Sequence, residues 1–267
     1  MTGQDEFWGN FFIFEKNYQM REELIFAKNI IPSVDQIINE TWSNLNLSKE
    51  YVRRNFGEVL MRFDEEATNV FKKYEREAIR ELALSWMESR KEEIKRELYE
   101  IIEKEDFVER LSQKFVEFAV LVQEFEKILG NMRKARGGKT FEKVLVKLLN
   151  YIGIKCETPA GKFKEKLKRV DIVIPSSAVA LKTPDKAIFL TCKRTLRERW
   201  KQEVPQARLN QRIYLITIDE NISESKAREI NQKGLIAFIP DKIKMEKFKG
   251  MPWIRKLSDL PKEVKIW

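Results

Sequence analysis

The 267-residue chain contains no histidine. That absence excludes Cys/His zinc fingers, HEXXH metalloproteases, Ser-His-Asp hydrolases and nucleases whose general base is an imidazole. Cysteine is nearly absent too. With only Cys156 and Cys192, neither a disulfide framework nor a four-thiolate metal site can be built. No apolar run reaches the length of a membrane-spanning helix, and the opening Met1-Thr-Gly-Gln-Asp-Glu6 lacks the basic stretch of a secretory signal. The expectation is a cytoplasmic protein in a reducing compartment, with no membrane partner.

What is present points to two differently built halves. Apolar residues make up 43% of the chain and include 17 Phe and 6 Trp, enough for a real core. The net charge of +9 is unevenly divided: residues 136–267 carry 30 Lys/Arg against 15 Asp/Glu, and residues 1–135 carry 21 against 27. A basic half of that kind suits a phosphate backbone, because each neutralised phosphate releases a condensed counterion. Chain breakers shift at the same place, with seven of the eight Pro after residue 158 and only three of the ten Gly before residue 130. The expected organisation is an all-α helical domain over 1–130, serving dimerisation or as a DNA clamp, and a mixed α/β domain over 131–267.

In the first half, Ser48 is a plausible N-cap. Val52, Phe56, Val59, Phe63, Ala67, Val70, Tyr74, Ala78 and Leu82 then recur at steps of three and four, tracing one helix face. A break is expected between about 86 and 106, then a helix over 107–129, capped by Asp106 and apolar on more than one face. Earlier helices are expected over 4–17 and 20–44, with Pro32 kinking or splitting the second. Gly130 and Gly137-Gly138 read as breaks before a helix over 140–152, which Gly153 ends. Strands are expected at 154–157, 170–175, 187–191, 212–218 and 235–239, and helices at 196–204 and 223–233. That order gives an α/β/α layer with a mixed sheet. Gly138-Lys139-Thr140 is similar to the end of a Walker A loop, but the loop's first glycine would fall on Arg133, so a glycine hinge is the better reading.

One constellation carries chemistry. Asp171 sits in the apolar run Val-Asp-Ile-Val-Ile, and Lys193 follows Ile-Phe-Leu-Thr-Cys. An antiparallel hairpin turning near Leu181 and Lys182 puts Asp171 opposite Lys193. A carboxylate in such a strand is costly to bury unless it meets a cation. The pair is either a cross-strand ion pair or part of a hydrolytic metal site, in which the carboxylate holds a hard cation and the ammonium acts on the attacking water. Without histidine or a thiolate cluster the ligands are oxygens, which selects Mg²⁺. Glu142, beside the apolar face of the 140–152 helix, is a further candidate acid.

Asp171 followed by Thr191-Cys192-Lys193 resembles the PD-(D/E)XK nuclease motif, with Glu142 matching the glutamate often found on the preceding helix. Lys193-Arg-Thr-Leu-Arg-Glu-Arg-Trp200 looks like the signature of type II restriction endonucleases that read CCGG or interrupted CC–GG sites. The resemblance covers about residues 135–240. It implies a restriction-endonuclease-like α/β/α domain that hydrolyses phosphodiester bonds of double-stranded DNA with Mg²⁺ at a short palindrome containing CCGG. It also implies a homodimer and a cognate DNA methyltransferase in the same system. On that resemblance, Asp171, Glu142 and the backbone carbonyl of Cys192 are the metal ligands, and Lys193 serves the water. Two departures stand out: Val170 replaces the motif's proline, and Thr191 replaces its second acid. The resembling enzymes carry that acid on the next helix, at the position of Gln206 here, with Glu203 as the rival.

Arg197 and Arg199 can each offer two N–H groups to guanine O6 and N7, and Glu198 can accept from cytosine N4. The alternative is a solvated helix start with Trp200 in the core. Lys162, Lys164, Lys166, Lys168 and Arg169 form a basic run that reads as phosphate contacts or as a solvated loop. Lys168, Arg169 and Arg194 are the candidates for the DNA backbone. Two rival functions remain open: a junction or repair nuclease of the same fold, and a non-enzymatic DNA-binding regulator.

Overall fold

The computed structural model describes residues 20–101, 105–196, 200–205 and 212–265. The helix expected over 4–17, the Arg197-Glu198-Arg199 trio and Gln206 therefore lie outside the described residues. The rest divides into two compact units, residues 20–37 with 69–134 and residues 38–68 with 135–265.

The helices follow the breakers of the sequence, with exceptions. Helix α1 spans residues 20–30, and Pro32 separates it from α2 (Val34–Leu45), so the split expected at that proline occurs. Ser48 caps α3 (Lys49–Arg54), accepting from the Tyr51 N–H at 3.2 Å. The chain then breaks once at Asn55, which the heptad-like run gave no reason to expect, before α4 (Phe56–Ser89) and α5 (Lys91–Ile101). Helix α6 runs without interruption from Phe107 to Tyr151. Gly130, Gly137 and Gly138 lie inside it and do not punctuate the chain. A Cβ at any of the three would meet no neighbour within 4 Å. Each costs the helix about 1 kcal/mol relative to alanine, which the helical sequence on both sides outweighs. Gly153 does end it, at φ +95°. Its N–H donates to the Asn150 carbonyl at 3.0 Å and that of Ile154 to Leu149 at 2.9 Å, the two bonds of a Schellman cap.

In the first unit, Ala27 and Ile31 meet Ala78, Leu82 and Trp86 of α4 and Leu121, Phe125 and Leu129 of α6, all buried. The i, i+4 spacing within α4 and α6 is what brings one stripe of each to a common core. A buried ion pair, Arg90 to Glu23 at 2.8 Å, closes this core, with the guanidinium 5.0 Å from the Trp86 ring centre. The second apolar face of α6 remains exposed at Phe115, Val116 and Val120.

The second unit is built on a five-stranded sheet in the order β1 (Ile172–Ile174), β2 (Ile188–Cys192), β3 (Arg212–Ile216), β4 (Ile236–Ile239), β5 (Ile254–Lys256). The first pair is antiparallel and the others are parallel, so the sheet is mixed as expected. Strand β5 was not anticipated, and Ile154–Glu157 contributes one isolated bridge, Glu157 to Val173, in place of a strand. Helix α7 (Lys162–Lys166) precedes β1, and between β1 and β2 lie α8 (Ser177–Lys182) and a 3-10 turn at Pro184–Lys186. Short α9 (Trp200–Glu203) follows β2, α10 (Glu224–Gln232) follows β3 with Ser223 as its cap, α11 (Asp241–Lys247) follows β4, and α12 (Leu260–Glu263) follows β5. One face of the sheet packs Val173, Phe189, Leu215 and Ala237 against Ala180, Trp200, Ala227, Ile230 and Ile243. Ile172, Ile174, Leu190, Ile216 and Phe238 on the other face are buried as well. Burial on both faces explains why the strands read as continuous apolar runs with no alternation.

Residues 38–68 belong to this unit and not to the all-helical one, which shifts the boundary drawn at residue 130. The reason is packing. Trp42 stands edge-on to Tyr151 at 4.7 Å and near Phe63 at 6.0 Å, the Tyr151 hydroxyl donates to the Leu47 carbonyl at 2.9 Å, and Arg53 donates to the Ile152 carbonyl at 2.8 Å. Among the described residues no helix is long and apolar enough to cross a membrane.

Candidate active site

Strand pairing decides where Asp171 falls. Ile172 pairs with Leu190, Val173 with Phe189 and Ile174 with Ile188. The Asp171 N–H donates to the Leu190 carbonyl at 3.0 Å. Continuing that register puts Asp171 opposite Thr191, not opposite Lys193 as the symmetric hairpin required. The register is centred on Leu181, one residue short of the centre at Lys182 that would pair Asp171 with Lys193, and α8 and the 3-10 turn fill the connector. Lys193 shares a strand face with Thr191 and is the diagonal neighbour of Asp171, within reach of a long side chain.

The Asp171 carboxylate is held in place by main chain. Its Oδ2 accepts from the Cys192 N–H at 2.7 Å and from the Thr191 hydroxyl at 3.3 Å. Thr191 is fully buried and spends its hydroxyl on that acid. At the position where the motif has a second carboxylate, this chain therefore has a group that orients the first. The Lys193 N–H donates to the Ile216 carbonyl at 2.9 Å, extending the β2–β3 ladder by one residue and fixing the backbone of the lysine.

Glu142 comes to the same place from α6. Burial, then the negative charge of Asp171, pushes its carboxyl up from 4.5 to about 7, and Lys193, Lys164 and Lys139 pull it back. The electrostatics thus joins the three residues singled out in the sequence, Asp171, Lys193 and Glu142, although their positions lie as far as 51 apart in the chain. A carboxyl whose proton affinity is raised by a neighbouring carboxylate, beside an ammonium, offers hard oxygen donors, and a divalent cation would relieve the same repulsion that a proton relieves. The donor set fits Mg²⁺ and not a thiophilic metal, since the Cys192 thiol is fully buried and held protonated by that burial. Among the described residues no cluster of three His, Cys, Asp or Glu side chains has metal-binding geometry, so the acids at hand are these two.

The remaining candidates scatter. Gly138-Lys139-Thr140 lies in the middle of α6, which rules out a phosphate-binding loop. The backbone of Glu203 ends α9 ahead of Pro205. Lys168 and Arg169 are exposed, Arg169 at φ +66° just before the Asp171 strand. Arg194, expected on the DNA backbone, has its guanidinium committed elsewhere: Nε donates to Asp64 Oδ2 at 2.9 Å and Nη2 to the Thr68 hydroxyl at 3.0 Å. Asp64 is buried, and desolvation raises its carboxyl against the opposing pull of Arg194. Nothing in the sequence signals that partner, which is 130 residues away. Sequence reasoning also missed Asp219, a buried acid after β3 whose carboxylate accepts from the Leu196 N–H at 2.7 Å.

The chain is 26% identical over 118 residues to the type II restriction enzyme EcoRII of Escherichia coli; the match takes in 43% of this chain and 29% of that enzyme, so the chain spans well under half of the relative's length. Its fold is similar to that of metal-depleted Ecl18kI in complex with uncleaved, modified DNA, with a TM-score of 0.72 at 18% identity, covering 92% of this chain and 82% of the other. It is also similar to the restriction endonuclease PspGI in its substrate DNA complex, with a TM-score of 0.60 at 20% identity, covering 89% and 93%. The EcoRII C-terminal family matches residues 99–253. That span is more than half of the sequence and contains Glu142, Asp171 and Lys193, and the chain belongs to this family.

Proposed function

We propose that the protein is a Mg²⁺-dependent type II restriction endonuclease that hydrolyses phosphodiester bonds of double-stranded DNA at a short palindrome containing CCGG. The observation that carries this reading is the convergence of Glu142, Asp171 and Lys193, from α6, the start of β1 and the end of β2, on one charged spot. Membership of the EcoRII C-terminal family and the likeness to two DNA-bound restriction enzymes support it.

In this reading Asp171 and Glu142 hold the cation, with the Cys192 carbonyl as a further oxygen donor. When bound, the cation supplies Lewis-acid stabilisation of the charge that develops on the scissile phosphate. Asp171 is aimed by the Cys192 N–H and the Thr191 hydroxyl, both bound to its Oδ2. Lys193, fixed through its backbone to β3, orients the attacking water and steadies its loss of a proton. Thr191 cannot act as the motif's second acid, and Gln206 takes its place by binding through a water, with Glu203 as the rival. Arg197, Glu198 and Arg199 read G and C in the major groove, while Lys168 and Arg169 position the backbone without specifying sequence. A palindrome calls for a two-fold homodimer in which each subunit reads one half-site, and a cognate methyltransferase protects the host.

Incubation with phage DNA and Mg²⁺, followed by sequencing of the fragment ends, tests the reading. Discrete fragments whose ends share a CC and GG palindrome are expected. Structure-dependent nicking without a shared sequence would assign the site to a repair or junction nuclease, and no Mg²⁺-dependent cutting at all would assign it to a DNA-binding regulator.

A further inference from the structure

The stretch joining Lys193 to the Arg197-Glu198-Arg199 trio is gripped by residues that have no part in the chemistry above. Leu196 is buried. Its N–H donates to Asp219 Oδ2 at 2.7 Å, and its carbonyl accepts from Lys226 Nζ at 2.5 Å. Two residues earlier the Arg194 carbonyl accepts from the Thr217 hydroxyl at 3.4 Å. The grip is itself braced. The Asp219 N–H donates to the same Thr217 hydroxyl at 3.1 Å, and Asp219 Oδ1 accepts from the Asn221 N–H at 2.9 Å. Asp219 is only 8% exposed. Lys226 projects from the first turns of α10, whose start is fixed by the Ser223 cap.

Every contact in this set is made to main chain, so it fixes the path of the backbone whatever side chains follow. A buried acid at the end of a strand invites assignment as another metal ligand. Both of its oxygens are taken by the N–H groups of Leu196 and Asn221, however, which makes it an anchor. Arg and Glu readers of base edges need placement to a fraction of a hydrogen-bond length, and an error of about 1 Å is enough to lose discrimination. The anchor sits one residue before the first of them.

We propose that Asp219 and Lys226 are positioning residues for base recognition: by clamping both polar groups of Leu196 they set where the chain enters the trio, and so govern discrimination between sites more than the rate of hydrolysis. The inference rests on the nuclease reading above.

The test uses the full chain. The wild-type site is first determined by fragment-end sequencing. kcat/KM is then measured on an oligoduplex carrying that site and on one with a single base-pair change. Lys226→Met keeps the aliphatic stem and removes the donor, and is expected to lower the ratio of the two values about tenfold. Lys226→Arg restores a donor and retains the wild-type ratio. Asp219→Asn keeps one acceptor for Leu196 and falls between them while still cutting with Mg²⁺. Thermal midpoints of each variant are recorded alongside. A Lys226→Met variant with the wild-type ratio, or with equal losses on both duplexes, overturns the inference while leaving the nuclease reading intact. A wild-type chain that cuts at no defined site overturns the reading itself, in a different sample.

Discussion

Glu142 makes a prediction that is independent of any cleavage assay. Its carboxyl is held at about 7 in the folded chain against 4.5 when unperturbed, with burial as the first cause and the Asp171 charge as the second. Below pH 4.5 the group is protonated in folded and unfolded chains alike, and contributes nothing. Between 4.5 and about 7 the unfolded chain loses this proton first, so stability falls as pH rises through that window, and the deficit stays constant above it. Each pH unit of difference is worth about 1.4 kcal/mol, which sets a ceiling near 3 kcal/mol. The side chain is half-buried and surrounded by three lysines, so solvent screening brings the expected deficit to about 1–2 kcal/mol. Glu142→Gln removes the ionisation. Urea unfolding in EDTA should show the variant equal to wild type at pH 4 and more stable by about 1–2 kcal/mol at pH 8. Excess Mg²⁺ at pH 8 should then stabilise the wild type and not the variant. A variant that is less stable than wild type at pH 8 in EDTA, or a difference that does not change with pH, would refute the electrostatic description of the site.

Three further outcomes follow from the geometry. Arg194→Met leaves the Asp64 carboxylate buried without its cation, and should cost about 2 kcal/mol in urea unfolding, with a double-mutant cycle against Asp64→Asn returning a coupling of about 1 kcal/mol; a pure phosphate contact predicts no change in stability. Lys193→Ala should lower single-turnover cleavage at least about a thousandfold, while gel shifts with Ca²⁺ in place of Mg²⁺ still show DNA binding; intact cutting would remove Lys193 from the chemistry. Gly153→Ala forces a side chain to φ +95° at the end of α6, and should lower the thermal midpoint by a few degrees, corresponding to about 1 kcal/mol, as read by calorimetry.

The elements that could be read in the sequence are those whose signals are local. The stripe through Val52, Phe56, Val59, Phe63, Ala67, Val70, Ala78 and Leu82 is buried as its period requires, Ser48 caps the helix that follows it, and the helix expected over 223–233 forms as α10. Asp171, Lys193 and Glu142 could be found because an acid in an apolar strand and a lysine at a strand end are anomalies in one dimension. What could not be read depends on distant partners. Gly130, Gly137 and Gly138 look like breaks, yet their helix is decided by the residues on either side. Strand β5 is three residues long and exists because Ala237 and Ile239 pair with Ile254 and Lys256. The pairing of Asp171 with Thr191 turns on a one-residue difference in where the hairpin is centred, Leu181 against Lys182, which two apolar runs alone do not specify. The pairing of Arg194 with Asp64 could not be read because the two lie 130 residues apart. Asp219 gives no signal in the sequence because its partners are backbone N–H groups, which leave no trace in side-chain pairing.

Crystals of the chain grown in Mn²⁺ and measured at the manganese edge put the central claim to its shortest test. The account places an anomalous peak at the carboxylates of Asp171 and Glu142, lost in Asp171→Asn. A manganese peak bound elsewhere, or no peak at those two side chains at saturating Mn²⁺, would contradict it.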